Sequence, residues 1–159
     1  HLAGELFNLM AGTKLVHVPY KGGGPAVTDL LAGRISVYFS TVALAATHVR
    51  AGRLKAIGVT TGKRILILPN LPTIAESGLP GYEVNGWYGL LAPARTPAPV
   101  IGRLNAEVRR AVESLETKDK LFALGVEATG SSPAEFEQLI KADIAKWQKV
   151  ISQLNVTAE

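Results

Sequence analysis

Three consecutive glycines, Gly22, Gly23 and Gly24, stand between Val16-His17-Val18-Pro19-Tyr20-Lys21 and Pro25-Ala26-Val27, and the chemistry they offer is that of bare backbone amides. Without a Cβ the chain can take positive φ and approach a ligand closely. Pro25 has no N–H to leave unpaired and its φ is already helical, so it suits the first position of a helix that Gly33 would stop. Amides around Gly23, Gly24 and Ala26 then face outward from a helix N-terminus, where a carboxylate or phosphate is favoured by the N–H groups and the helix dipole. Tyr20 and Lys21 flank the turn. No Gly-Lys-Ser/Thr closes it, and its glycine spacing is not that of the dinucleotide fingerprint. A tight strand-to-helix turn that binds nothing would use the same residue types.

The elements that must position this turn follow from periodicity. His1 to Ala11 has helical spacing, with Leu2, Leu6, Leu9 and Met10 on one side and Gly12 as the stop. Val16 and Val18 suit a strand, the helix runs from Pro25 to Ala32, and Ile35, Val37 and Phe39 alternate as a second strand. Ser40 and Thr41 are candidate caps for a helix that ends at Ala51-Gly52, and Leu54 to Thr61 reads as a third strand. This alternation predicts an α/β domain with a largely parallel sheet. Ligands collect beyond the carboxyl ends of such strands, here Tyr20 to Gly24, Ser40-Thr41 and Thr60-Thr61. These ends supply amides and hydroxyls but no catalytic base.

Pro72 to Ser77 reads as a helical turn stopped at Gly78, and Tyr82 to Ala92 as extended. Pro93, Pro97 and Pro99 mark a boundary, after which Val100, Ile101, Leu104, Val108, Ala111, Val112 and Leu115 repeat at helical spacing. A short helix around Lys118 to Leu124 stops at Gly125, and Val126 to Thr129 is a candidate edge strand. Ser132 and Glu135 form a capping box for a helix presenting Phe136, Leu139, Ile140, Ile144, Trp147, Val150 and Ile151 on one face. Covering such faces would contribute about 2 kcal/mol per large side chain. The residues after 96 hold at most one short strand to do it, so the faces are expected to promote self-association.

Composition narrows the function classes. Of 159 residues, 47% are hydrophobic and none is cysteine, which excludes disulfides, thiolate zinc sites and cysteine nucleophiles. No apolar run approaches the roughly 20 residues that span a bilayer. His1, His17 and His48 lie far apart, the aspartates are Asp29, Asp119 and Asp143, and no Gly-x-Ser-x-Gly elbow is present. Neither an enzyme, a metal site nor a cofactor is expected. Net charge is +5 through residue 100 and −1 thereafter. The alternative function is therefore a nucleic-acid-binding module using the basic first part, with Arg50 to Lys55 and Lys63-Arg64 as patches, although these lack interleaved aromatics.

Four stretches, His1-Leu2-Ala3-Gly4-Glu5-Leu6-Phe7, Val18-Pro19-Tyr20-Lys21-Gly22-Gly23-Gly24-Pro25-Ala26, Leu71-Pro72-Thr73-Ile74-Ala75-Glu76-Ser77-Gly78-Leu79-Pro80-Gly81-Tyr82-Glu83 and Trp87-Tyr88-Gly89-Leu90-Leu91-Ala92-Pro93-Ala94, resemble the substrate-binding receptors of tripartite tricarboxylate transporters, the Bug family. The resemblance implies a periplasmic binding protein of type II-like, two-lobed architecture that closes on a small carboxylate and hands it to membrane transporter subunits, with no role for nucleic acid. It implies the later half of such a receptor: residues 1–86 as the second lobe without its first strand, and residues 87–159 as the crossing strand and C-terminal helices of the first lobe. The family's signal peptide and first-lobe carboxylate loop are not in the sequence. Carried over residue by residue, Gly22, Gly23, Gly24 and Ala26 match the amide contacts to a ligand carboxylate. Tyr20 and Lys21 border that turn, and Trp87 borders the cleft mouth. Ser40, with Thr41 beside it, stands where many relatives have an aspartate, a departure that leaves a neutral hydroxyl for the distal part of the ligand. Ligand binding is expected to be lost or very weak without the first lobe.

Overall fold

A computed structural model describes residues 1–154 of the chain, which form two compact units, His1–Asn85 and a second that begins at Gly86. In the first unit three short helices follow the apolar spacing of the sequence: α1 (Leu2–Ala11), α2 (Gly23–Leu31) and α3 (Val42–Arg50). The end of α2 is set by Gly33 at φ 72°. There the amides of Gly33 and Arg34 return to the carbonyls of Leu30 (3.1 Å) and Asp29 (2.9 Å), the paired bonds of a left-handed glycine cap.

The helices bury small faces: Leu6 from α1, Ala26 and Val27 from α2 and Ala46 from α3, together with Val59, Thr73 and Tyr82. Tyr82 is 1% exposed; its hydroxyl donates to the Ala3 carbonyl at 2.9 Å, and its ring meets the edge of Phe7 with centroids 6.0 Å apart. Thr73 opens a turn held reciprocally by Glu76. The Thr73 amide donates to Glu76 Oε2 at 2.9 Å, and the Glu76 amide to Thr73 Oγ1 at 3.0 Å, as in a capping box.

The expected sheet is not formed among the described residues. Pairing there is a single parallel bridge between Val59 and Thr73, with the Val59 amide on the Pro72 carbonyl and the Ile74 amide on the Val59 carbonyl, both at 2.9 Å. The segments predicted as strands at 16–18 and 35–39, the extended 82–92 and the candidate edge strand at 126–129 carry no ladder. Apolar alternation specifies a face to be buried, but a strand exists only when a neighbour offers amides and carbonyls in register. Among the described residues no neighbour does so at 16–18, 35–39 or 126–129, and 82–92 has the Val84 amide on the Thr60 carbonyl at 2.7 Å but no ladder; Val16 and Ile57 stand 87% and 72% exposed.

In the second unit Pro97 and Pro99 start α4 (Ala98–Glu113), Ser114 ends α4 and caps α5 (Leu115–Ala123), and α6 (Pro133–Leu154) follows. The predicted capping box opens α6: the Ser132 amide donates to Glu135 Oε2 at 2.7 Å, and the Glu135 amide to Ser132 Oγ at 3.2 Å. Val150 is buried, but Leu104 on α4 and Phe122, Leu139, Ile144 and Ile151 on α5 and α6 remain exposed. None of the helices among the described residues is long and apolar enough to cross a membrane.

Candidate functional site

Gly22 caps α2 with φ 111° and ψ 171°, a conformation that glycine alone adopts without strain. Because the chain has already turned at Gly22, the helix begins at Gly23, and Pro25 occupies its third position, not the first as its ring geometry suggested. The missing Pro25 N–H is still harmless, since the first turn has no intrahelical acceptor for it. Gly23 and Gly24 therefore form the first turn, and among the described residues neither of their amides has an acceptor. Ala26, 1% exposed, fixes this turn to the core.

Two side chains absent from the sequence reading close in on the turn. A Cβ on Gly23 would lie 2.3 Å from Leu44 Cδ1 and 3.0 Å from the Tyr38 hydroxyl, so the first turn of α2 packs on the first turn of α3 with a phenol beside it. The Tyr38 hydroxyl makes no hydrogen bond among the described residues. The alternation of Ile35, Val37 and Phe39 places Tyr38 on the opposite face, which was the available signal for it. Thr41 is the N-cap of α3 as expected, but its side chain makes no capping bond. Its carbonyl accepts the Leu44 and Ala45 amides at 3.2 and 3.3 Å, while the Val42 and Ala43 amides, like those of Gly23 and Gly24, have no acceptor among the described residues. Ser40 Oγ donates to the Thr41 carbonyl at 3.0 Å, so its proton is used locally. The third expected rim is likewise occupied: Thr60 Oγ1 donates to the Val84 carbonyl at 2.9 Å and Thr61 Oγ1 to the Lys63 carbonyl at 2.6 Å.

Tyr20 reaches the flank of α2, where its hydroxyl donates to Asp29 Oδ2 at 2.9 Å. Arg34 Nη1 donates to the other carboxylate oxygen at 2.8 Å. The Arg34 bond first, and the Tyr20 bond second, hold the Asp29 carboxyl below the usual aspartate range, whereas desolvation and then the Asp29 contact raise the Tyr20 phenol. Lys21 is exposed and forms no ion pair among the described residues. Trp87 belongs to the second unit, where its Nε1 donates to Asp143 Oδ2 at 2.6 Å and its ring stands edge-on to Phe136. His1 and His17, far apart in the sequence, are brought together: His17 is exposed and stacks on His1 with ring centroids 3.7 Å apart. No group of three or more metal-ligating side chains is found among the described residues. The arrangement offers amide and hydroxyl donors at two adjoining helix N-termini, suited to holding an anion without transferring a proton.

The family model described as "Tripartite tricarboxylate transporter family receptor" matches residues 1–156. A Pseudomonas sp. strain P51 protein described as "UPF0065 protein in tcbD-tcbE intergenic region" is 41% identical over 159 residues, covering 99% of this chain and 47% of that protein. Protein BugT of Bordetella pertussis is 31% identical over 153 residues, covering 96% and 47%. Among solved structures, "R. palustris Rpa4515 with adipate" superimposes with a TM-score of 0.89 at 37% identity, over 99% of this chain and 52% of that one. MatC from Rhodopseudomonas palustris with bound malate gives 0.82 at 31% identity, over 94% and 52%. The chain spans about half the length of the first of these relatives, and its fold is that of about half of a periplasmic binding protein. On these matches the chain belongs to the tripartite tricarboxylate transporter receptor family, which includes the Bug proteins.

Proposed function

We propose that this chain is part of an extracytoplasmic solute-binding receptor that holds a small carboxylate at the Gly22–Gly24 turn and serves a tripartite tricarboxylate-type transporter. The observation that carries the reading is the pair of unshared amides at Gly23 and Gly24, set against α3 and beside the free Tyr38 hydroxyl. Unpaired N–H groups at a helix N-terminus favour an anion both by direct donation and through the helix dipole. The relatives solved with adipate and with malate support a carboxylate as the guest. In this reading Thr41 and Tyr38 supply hydroxyl donors and Lys21 supplies positive charge at the rim. Ser40 presents a neutral oxygen toward the distal part of the ligand. Lobe closure then removes the carboxylate from water and strengthens every one of these contacts.

With a neutral Ser40, the described residues at the turn offer no unpaired carboxylate for an ammonium group, so a plain dicarboxylate is favoured over an amino acid of the same length. Titration calorimetry with adipate, malate, citrate and glutamate tests this. Expected are weak heats from the 159-residue chain, larger for adipate or malate than for glutamate. No heat from any carboxylate, together with salt-sensitive retention on DNA, would replace this reading with the nucleic-acid one.

A further inference from the structure

The glycine turn is built from the residues with the greatest backbone freedom, yet its use as an anion seat requires Gly23 and Gly24 to hold their amides in one orientation. The chain supplies a tether around it. Tyr20, two residues before Gly22, is bound through its hydroxyl to Asp29 on the flank of the helix that the turn opens, at 2.9 Å. That bond closes a ring of ten residues, Tyr20 to Asp29, around Gly22, Gly23 and Gly24. Asp29 is itself held twice: its backbone carbonyl accepts the Arg34 amide at 2.9 Å, and its Oδ1 accepts the Arg34 guanidinium at 2.8 Å. The left-handed cap at Gly33 brings Arg34 back along α2 to make both bonds. With Oδ1 engaged, Oδ2 is directed to Tyr20.

We propose that Asp29, clamped by Arg34, is a positioning residue for the candidate site: by fixing Tyr20 it fixes the bend that presents the Gly23 and Gly24 amides. This rests on the reading of that turn as a carboxylate seat, but its structural half is independent of any ligand. Tyr20 is thereby assigned to the support of the turn and not to contact with the guest through its hydroxyl.

The test compares Tyr20→Phe, Asp29→Ala, Asp29→Asn, Arg34→Ala and the Tyr20→Phe/Asp29→Ala pair with the unaltered chain. The first readout is amide NMR and hydrogen exchange at Gly22, Gly23 and Gly24. Tyr20→Phe and Asp29→Ala are expected to move the same glycine resonances and speed their exchange, the double variant no further. Arg34→Ala should do so less, and Asp29→Asn, which keeps an acceptor for the phenol, less than Asp29→Ala. Glycine resonances indifferent to all of these changes would overturn the proposal. The second readout is adipate affinity, where a charge-assisted bond at an accessible site leads us to expect about a fivefold loss in each single variant, without addition in the double. Losses that multiply would show that Tyr20 touches the guest itself and would also overturn it. If the unaltered chain takes up no dicarboxylate, as the loss expected without the first lobe allows, the glycine readout alone decides the tether.

Discussion

Gly23 approaches Leu44 so closely that a methyl group on it would sit 2.3 Å from Leu44 Cδ1. Gly22 and Gly23 are therefore required for different reasons. Gly23→Ala is expected to cost about 1 kcal/mol or somewhat more by overpacking, and Leu44→Ala in the same chain should recover part of that loss. Gly22→Ala, at φ 111° and ψ 171°, should cost about 1–3 kcal/mol through backbone strain in a region that only glycine enters freely. A Cβ on Gly24 meets nothing within 4 Å, so Gly24→Ala should stay within about 0.5 kcal/mol of the unaltered chain. Urea unfolding of the three variants checks the order, and equal losses at Gly23 and Gly24 would contradict the packing described.

Tyr82 should make the chain sensitive to alkali. Burial pushes its phenol up from 10.0 to about 12, so the folded state favours the neutral form. That contribution is complete below the unfolded value near 10 and is lost as pH rises through about 12. Urea midpoints between pH 8 and 12 should fall across this window. Tyr82→Phe should remove the Tyr82 part of the fall and, at neutral pH, cost about 1 kcal/mol for the bond to the Ala3 carbonyl.

Two glutamates should give the opposite dependence. Glu76 is held below the usual range first by the Thr73 amide and then by Arg64, and Glu135 first by the Ser132 amide and then by its hydroxyl. Depressed carboxyl groups stabilise the fold above the unfolded glutamate value, and that contribution disappears as pH falls through the lowered folded one. Melting temperatures followed from pH 7 to 3 should therefore decline in acid. Glu76→Gln and Glu135→Gln should each flatten the decline, and an unchanged profile in both would rule out the two capping boxes as its source.

The exposed apolar residues of the second unit, Leu104, Phe122, Leu139, Ile144 and Ile151, should drive concentration-dependent self-association. Sedimentation velocity should show larger species as concentration rises, reduced by Ile144→Lys. A monomer at every concentration would contradict this.

Helix boundaries were the most legible part of the sequence because they are encoded locally. Gly12, Gly52 and Gly125 stand in the left-handed conformation where the helices stop, and Ser132 with Glu135 opens α6 as its spacing requires. The same spacing in Thr73 and Glu76 encodes a second capping box. Strands were illegible as strands because alternation records a face and not a partner: Val16 and Val18 alternate as a pleated segment should, yet among the described residues no ladder pairs with them. At the site, the glycines announced free amides, but the start of α2 depended on Gly22 turning before Pro25 could set the boundary. Tyr38 and Leu44 reach the turn through the packing of α3, and Asp29 reaches Tyr20 around the helix, neither of which sequence neighbours express.

Whether the Gly23 and Gly24 amides receive a carboxylate, as proposed, is read from amide NMR of the 159-residue chain during an adipate titration. Expected are saturable shifts, at millimolar ligand, confined to Gly22, Gly23, Gly24 and the Thr41 to Ala43 turn, with Gly23 and Gly24 moving downfield as they acquire an acceptor. Saturable binding that leaves those two amides unmoved would contradict the claim.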